Sequence, residues 1–208
     1  MTTMDERLTK LPDREALKGA LEQAIADGAG VALAILDIDH CSQLWERFGP
    51  EATCRILETL AAILKEAAPG HVYEISGDAY AVLMPGMTVE QAFLRAEELR
   101  RQVGEARERF GLPDQQEVAV SLGVAHCPRD ARDEEGLMRA AFAGLMVAKE
   151  QGGNRVALAP SEDMVMKSSY YSTTSVRNLK ALTERLSRKE SALLREALDD
   201  LLRKYGQP

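Results

Sequence analysis

Cysteine is scarce in this chain, long apolar runs and excess positive charge are missing, and each shortage removes a class of protein. Three cysteines, Cys41, Cys54 and Cys127, leave one unpaired under any disulfide scheme, and none stands in a CxxC pair. A disulfide scaffold and a spaced-thiolate metal domain are therefore both excluded. No apolar run approaches the roughly 18–20 residues of a membrane span. The opening Met1-Thr2-Thr3-Met4-Asp5-Glu6 lacks the basic-then-apolar layout of a signal peptide. These absences lead to the expectation of a reduced, cytoplasmic protein with no membrane partner. The net charge of −7 argues against nonspecific nucleic-acid affinity for the chain as a whole.

What is present is ordinary globular composition, 45% apolar and 28% charged over 208 residues. That length suits one medium domain plus a small one. The charge is unevenly placed. Residues 164–208 hold nine Lys/Arg and five Asp/Glu, a net +4, which leaves −11 on residues 1–163. A boundary is expected near Ala159-Pro160-Ser161-Glu162-Asp163, where a strand-like run stops at polar turn residues. The expected domains are residues 1–160 and 161–208.

Upstream of that boundary, helical and strand patterns alternate. Helices are expected at 15–26, 42–48, 51–68, 89–109 and 134–151, with Gly49-Pro50 separating the second from the third. Strands are expected at 31–37, 118–125 and 155–158, and 72–76 with 79–84 form a hairpin about Gly77-Asp78. Alternating elements that include a hairpin favour a mixed sheet flanked by helices, an α/β (α+β) fold.

Five motifs in fixed order give residues 6–158 a specific resemblance. They are Leu8-Thr9-Lys10-Leu11-Pro12-Asp13-Arg14, Leu36-Asp37-Ile38-Asp39-His40, Ser76-Gly77-Asp78-Ala79-Tyr80, Ser121-Leu122-Gly123-Val124-Ala125 and Ala148-Lys149 through Gly152-Gly153-Asn154-Arg155. This region resembles the GGDEF domain, the diguanylate cyclase family. The resemblance implies a palm-like mixed sheet. It also implies that Asp37, the Ile38 carbonyl and Asp78 hold Mg²⁺, which prefers oxygen ligands. Such a metal neutralises triphosphate charge and activates an attacking hydroxyl. Lys149 is implied as a point charge for the phosphates, and amides at His40-Cys41 as a cradle for phosphate oxygens.

The departures from that family pattern bear on function. Ala79 replaces a carboxylate of the name-giving motif, and Ser76 replaces its first glycine. Trp45 and Cys54 replace the guanine-reading Asn and Asp, and neither offers the matching acceptor pattern. Gly153 replaces a phosphate-binding Arg, and Ala67-Ala68-Pro69-Gly70 stands where an RxxD product-inhibition motif is expected. Losing one electrostatic donor typically costs about 10²–10³-fold in rate, so a degenerate cyclase is expected. Two uses of the pocket stay open. One is a nucleotide sensor with Trp45 stacking on a base beside His40, Cys41, Cys54 and Lys149. The other is an interaction scaffold in which Trp45 plugs the old guanine pocket. The neighbours His40-Cys41 and His126-Cys127 lack the spaced framework of a zinc site.

Residues 164–205 read as a short β-prone run and two amphipathic helices, about 174–186 and 187–205, with Ser187-Arg188-Lys189-Glu190 as a capping box. The Arg188–Leu198 stretch is similar to ribbon-helix-helix repressors. Such a unit is too small to bury a core alone, so a homodimer through residues 164–205 is implied. In that family two strands form a ribbon that enters the major groove of double-stranded DNA. Met166, Ser168 and Tyr170 would then face the bases, and Ser187-Arg188 would grip a phosphate. The expectation is a dimeric DNA-binding transcriptional regulator whose GGDEF-like domain senses a nucleotide or serves as a scaffold. An altered-specificity cyclase and a dimeric scaffold that binds no DNA are the alternatives.

Overall fold

The computed structural model describes residues 9–28, 30–112, 117–160, 169–186 and 190–206. The chain divides into two compact units, Met1–Glu162 and Asp163–Pro208.

The first unit is a five-stranded mixed sheet of order β2-β3-β1-β4-β5. The strands are β1 (Val31–Ile38), β2 (Val72–Ser76), β3 (Ala79–Pro85), β4 (Val120–Cys127) and β5 (Val156–Leu158). β1 is central and antiparallel to both β3 and β4, while β5 adds parallel to β4. The strand expected at 118–125 runs two residues later, because pairing with β1 extends to Val31 opposite Cys127.

The helices among the described residues of this unit are α1 (Arg14–Ala26), α2 (Cys41–Ala67), α3 (Val89–Glu105), the short α4 (Arg107–Phe110) and α5 (Glu134–Glu150). Successive β-residues point to opposite faces, and β1 shows the consequence. Ala32, Ala34, Leu36 and Ile38 join the core that includes Ile56, Leu60, Leu64 and Leu99 from α2 and α3. Val31, Leu33 and Ile35 join the core that includes Leu17 and Leu21 of α1 and Leu137, Ala141 and Leu145 of α5. Each fully buried leucine in these cores contributes about 1.5–3 kcal/mol relative to exposure. A sheet buried on both faces explains the unbroken apolar run at residues 31–36.

Local signals set the helix ends. Asp13 caps α1 by accepting from the Ala16 amide, and Asp133 caps α5 through the Gly136 amide. Thr88 and Gln91 form a reciprocal capping box at α3. The helix expected to run 89–109 is interrupted at Ala106, whose conformation is non-helical and whose amide donates to the Val103 carbonyl. α2 breaks at Gly49 (φ 78°, ψ 174°), a non-helical residue before Pro50, so its two segments are the two helices expected on either side of Gly49-Pro50. The Arg95 guanidinium donates to the Ala67 carbonyl and satisfies the last turn of α2.

The second unit contains α6 (Thr173–Leu186) and α7 (Glu190–Tyr205). Ser172 caps α6 by accepting from the Ser175 amide at 3.0 Å. α6 buries no residue, and Val176, Leu186, Leu198, Leu201 and Leu202 stay about half exposed or more. Among the described residues, no helix is long and apolar enough to cross a membrane.

Candidate functional site

The site gathers where β1 ends, because three neighbouring strands bring their chemistry to that edge. Asp37 is flanked in the sheet by Ala79 of β3 and Ser121 of β4. Directly opposed residues share a face, and on this face α5 lies against the sheet. Gly123 makes that approach possible. A Cβ there would fall 2.0 Å from the Leu145 amide nitrogen and 2.1 Å from the Ala141 oxygen. With only hydrogen at this position, the helix backbone rests on β4, and its last turn delivers Lys149 to Asp37.

The Lys149 ammonium donates to Asp37 Oδ1. Burial raises the Asp37 pKa; Lys149 counters it by hydrogen bond and charge, while Asp78 and Asp39 raise it further. Asp78, in the β2–β3 turn, is thus electrostatically close to Asp37. Asp78 also accepts a hydrogen bond from the Cys41 thiol. Burial first, then the charges of Asp78 and Asp37, push that thiol up, so Cys41 is a neutral donor here and a poor nucleophile. Tyr80 follows Ala79 into the opposite core, where burial raises its phenol and its hydroxyl donates to the Leu57 carbonyl at 3.4 Å.

The residues expected from sequence are therefore only partly brought together. Asp37, Asp78, Cys41 and Lys149 form one charged cluster, with Ile38 buried beside it. His40 precedes α2 in a left-handed conformation (φ 56°, ψ 34°), which turns the chain from β1 into the helix. Trp45 and Cys54 lie on the two sides of the α2 kink. Trp45 is 45% exposed, and Cys54 is half-buried. Met166, Ser168, Ser187 and Arg188 lie outside the described residues. Tyr170 is fully exposed in a segment, 169–172, that is not strand. A ribbon of the kind expected there pairs only with a second chain.

Asp39, Ser121 and Asn154 were missed as site residues. Ser121 Oγ donates to Asp39 Oδ1 at 2.7 Å, and the Asn154 amide donates to Asp39 Oδ2 at 2.7 Å. Asn154 in turn accepts from Arg100 of α3 at 2.9 Å. The motif carried a signal, a second aspartate at the strand end, but not its partner 115 residues away.

Among the described residues, no three His, Cys, Asp or Glu side chains are arranged to hold a metal. The donors that β1 and the hairpin turn bring near one another are the carboxylates of Asp37 and Asp78, both oxygen. That set fits Mg²⁺ with the remaining positions supplied by water or phosphate.

Comparison with known proteins agrees with this architecture. The family model described as "Diguanylate cyclase, GGDEF domain" matches residues 2–155. An uncharacterised protein, YhcK of Bacillus subtilis, is 31% identical over 134 residues, covering 64% of this chain and 37% of that protein. Diguanylate cyclase DgcP of Pseudomonas aeruginosa is 30% identical over 163 residues, 75% of this chain and 24% of DgcP. The chain thus spans well under half of these relatives. The coiled coil and GGDEF domain of DgcB from Caulobacter crescentus, solved with c-di-GMP, superposes with TM-score 0.65 at 27% identity, over 74% of this chain and 84% of that one. The active GGEEF domain from Vibrio cholerae shares the fold at TM-score 0.66 and 21% identity, over 74% of this chain and all of that one. With the family model matching residues 2–155, a range that holds the whole charged cluster at the end of β1, the chain belongs to the GGDEF domain family.

Proposed function

We propose that this chain is a dimeric DNA-binding regulator whose GGDEF domain holds a nucleotide without cyclising it. The carrying observation is the split within the site. The phosphate end keeps Asp37, Asp78 and Lys149 in one cluster, while Ala79 stands opposite Asp37 where the family motif has a carboxylate. In this reading Asp37, Asp78 and the Ile38 carbonyl hold Mg²⁺, which supplies charge neutralisation for the phosphates. Lys149 contributes a further positive charge. The half-exposed Trp45 offers a stacking face in place of hydrogen-bonded base readout.

The second unit supports the regulatory half of the proposal. Its helices expose apolar side chains that a lone hairpin cannot bury, and its net charge is +4 against −11 upstream. A second copy would cover those faces and align two strand segments as a ribbon for the major groove. Arg188→Ala would then weaken binding uniformly across sequences and flatten the salt dependence.

The test is selection of random duplex DNA by the full chain, alone and with GTP, ATP or c-di-GMP in Mg²⁺, while Trp45 fluorescence reports nucleotide binding. An enriched motif, shifted by one nucleotide, is the expected result. No enrichment in any condition would overturn the DNA-binding half. Magnesium-dependent cyclic product from GTP would overturn the non-cyclising half and return the chain to enzyme status.

A further inference from the structure

We infer that Asp39 is a positioning residue, a carboxylate clasp that sets the loop after α5 and through it the placement of Lys149. This rests on the nucleotide-holding reading above, and it concerns a residue outside the implied metal and phosphate set.

Asp39 leaves β1 just beyond Asp37, its amide anchored to the Ala119 carbonyl at 2.9 Å. One carboxylate oxygen takes the hydroxyl proton of Ser121, a fully buried residue. The other takes the Asn154 amide proton. Asn154 is left-handed (φ 47°) and is held again by Arg100, whose Nε donates to Glu97 at 3.0 Å. Between these anchors the chain descends from Lys149 through two turn bonds, Gly152 amide to Lys149 carbonyl at 3.0 Å and Gly153 amide to Ala148 carbonyl at 3.1 Å. Lys149 is thus fixed by helix α5 on one side and by the Asp39-bound loop on the other.

Gly153 completes the fit. A Cβ there would lie 3.0 Å from Asp39 Oδ2 and 3.1 Å from Cγ, on a backbone with φ +74°. The carboxylate occupies the space that a side chain at residue 153 would need at its root. Asp39 and Gly153 are therefore a matched pair in this chain. The carboxylate that fills this space also grips the neighbouring Asn154 amide. Outer hydrogen bonds of this kind orient the groups that touch a ligand, and their loss typically costs about 10–100-fold in affinity.

The experiment is a double-mutant cycle in the full chain with Asp39→Asn and Lys149→Met, read by Trp45 fluorescence. The probes are Mg²⁺-GTP, Mg²⁺-ATP and inorganic tripolyphosphate. If Asp39 acts through Lys149, Asp39→Asn weakens all the probes that bind by a common factor of about 10, and adds less than about twofold in the Lys149→Met background. Equal losses in both backgrounds, or a loss confined to one base, would overturn the positioning role. Ser121→Ala, which keeps the carboxylate and removes one of its donors, serves if Asp39→Asn does not fold, with a smaller loss in the same pattern.

Hydrogen exchange on the nucleotide-free protein separates this inference from the functional reading. Asp39→Asn should speed exchange of the Asn154 amide at least about tenfold, with the strand core unchanged. Unchanged Asn154 exchange would sink the clasp even if nucleotides bind. Faster exchange in a chain that binds none of the probes would keep the clasp's hold on the loop and sink both the nucleotide reading and the role assigned through Lys149.

Discussion

Ala79 sits directly across the β1–β3 ladder from Asp37, on the same face of the sheet. The position is 5% exposed, and Asp78 precedes it in the chain. A third carboxylate there would join two that already repel each other, with Lys149 as the cation paired to Asp37.

Ala79→Glu should therefore destabilise the first unit in EDTA by about 1–3 kcal/mol, the cost of burying a polar group without a full set of partners, and Mg²⁺ should restore part of the loss. Thermal unfolding with and without Mg²⁺ checks this. Identical melting of the two proteins in EDTA would mean that position 79 lies outside the carboxylate field.

The raised pKa of Asp37 has a definite sign in stability. Burial lifts its folded value above the unfolded one despite Lys149. The folded state therefore holds the proton more tightly, and stability is lost as pH rises through the folded pKa. Asp37→Asn, which never ionises, escapes that loss. Its melting temperature should exceed that of the unaltered protein at pH 7, and the gap should close near pH 4, the ordinary aspartate range. A gap that widens on acidification would reverse the assignment.

Gly123→Ala places a methyl against the α5 backbone, where the nearest atoms lie at 2.0 and 2.1 Å. Neither strand nor helix backbone yields as a flexible side chain would. The substitution should cost about 3 kcal/mol in urea unfolding and weaken nucleotide binding through the displaced Lys149. A loss under about 0.5 kcal/mol would show that helix and strand separate readily here.

Leu198→Lys with Leu201→Lys places two charges on the exposed apolar side of α7, where the leucines are 51% and 53% exposed. Charges there oppose self-association while leaving the first unit's cores untouched. Light scattering should report a dimer for the unaltered chain and a monomer for the variant, with the near-ultraviolet dichroism of the first unit retained. A variant that stays dimeric would place the interface elsewhere.

How much was legible in the sequence follows from the range of each interaction. The helix and strand kinds were readable because periodicity is local: Val31 through Leu36 are apolar without a break, and the Gly77-Asp78 turn sits between two β-prone runs. Asp37, Asp78 and Lys149 were readable as a set only through the resemblance. Ala106 was not legible as a helix interruption, because the charged run around it keeps a helical pattern through Arg109. The start of β4 was misplaced because Val118 and Val120 extend the same alternation, and only pairing with β1 selects the register. The exposure of Trp45 was likewise undecidable, since a helix position gives no burial until the neighbours are placed.

By itself the sequence determined the element kinds, the two charge-distinct segments and the chemistry available at the motif positions. Those depend on residue type and near neighbours. Only the tertiary structure decided which charges meet. Lys149 reaches Asp37 from 112 residues away, and Asn154 reaches Asp39 from 115. Both meetings depend on the antiparallel pairing of β1 with β4 and on a glycine that lets α5 lie against the sheet, conditions that no local pattern encodes.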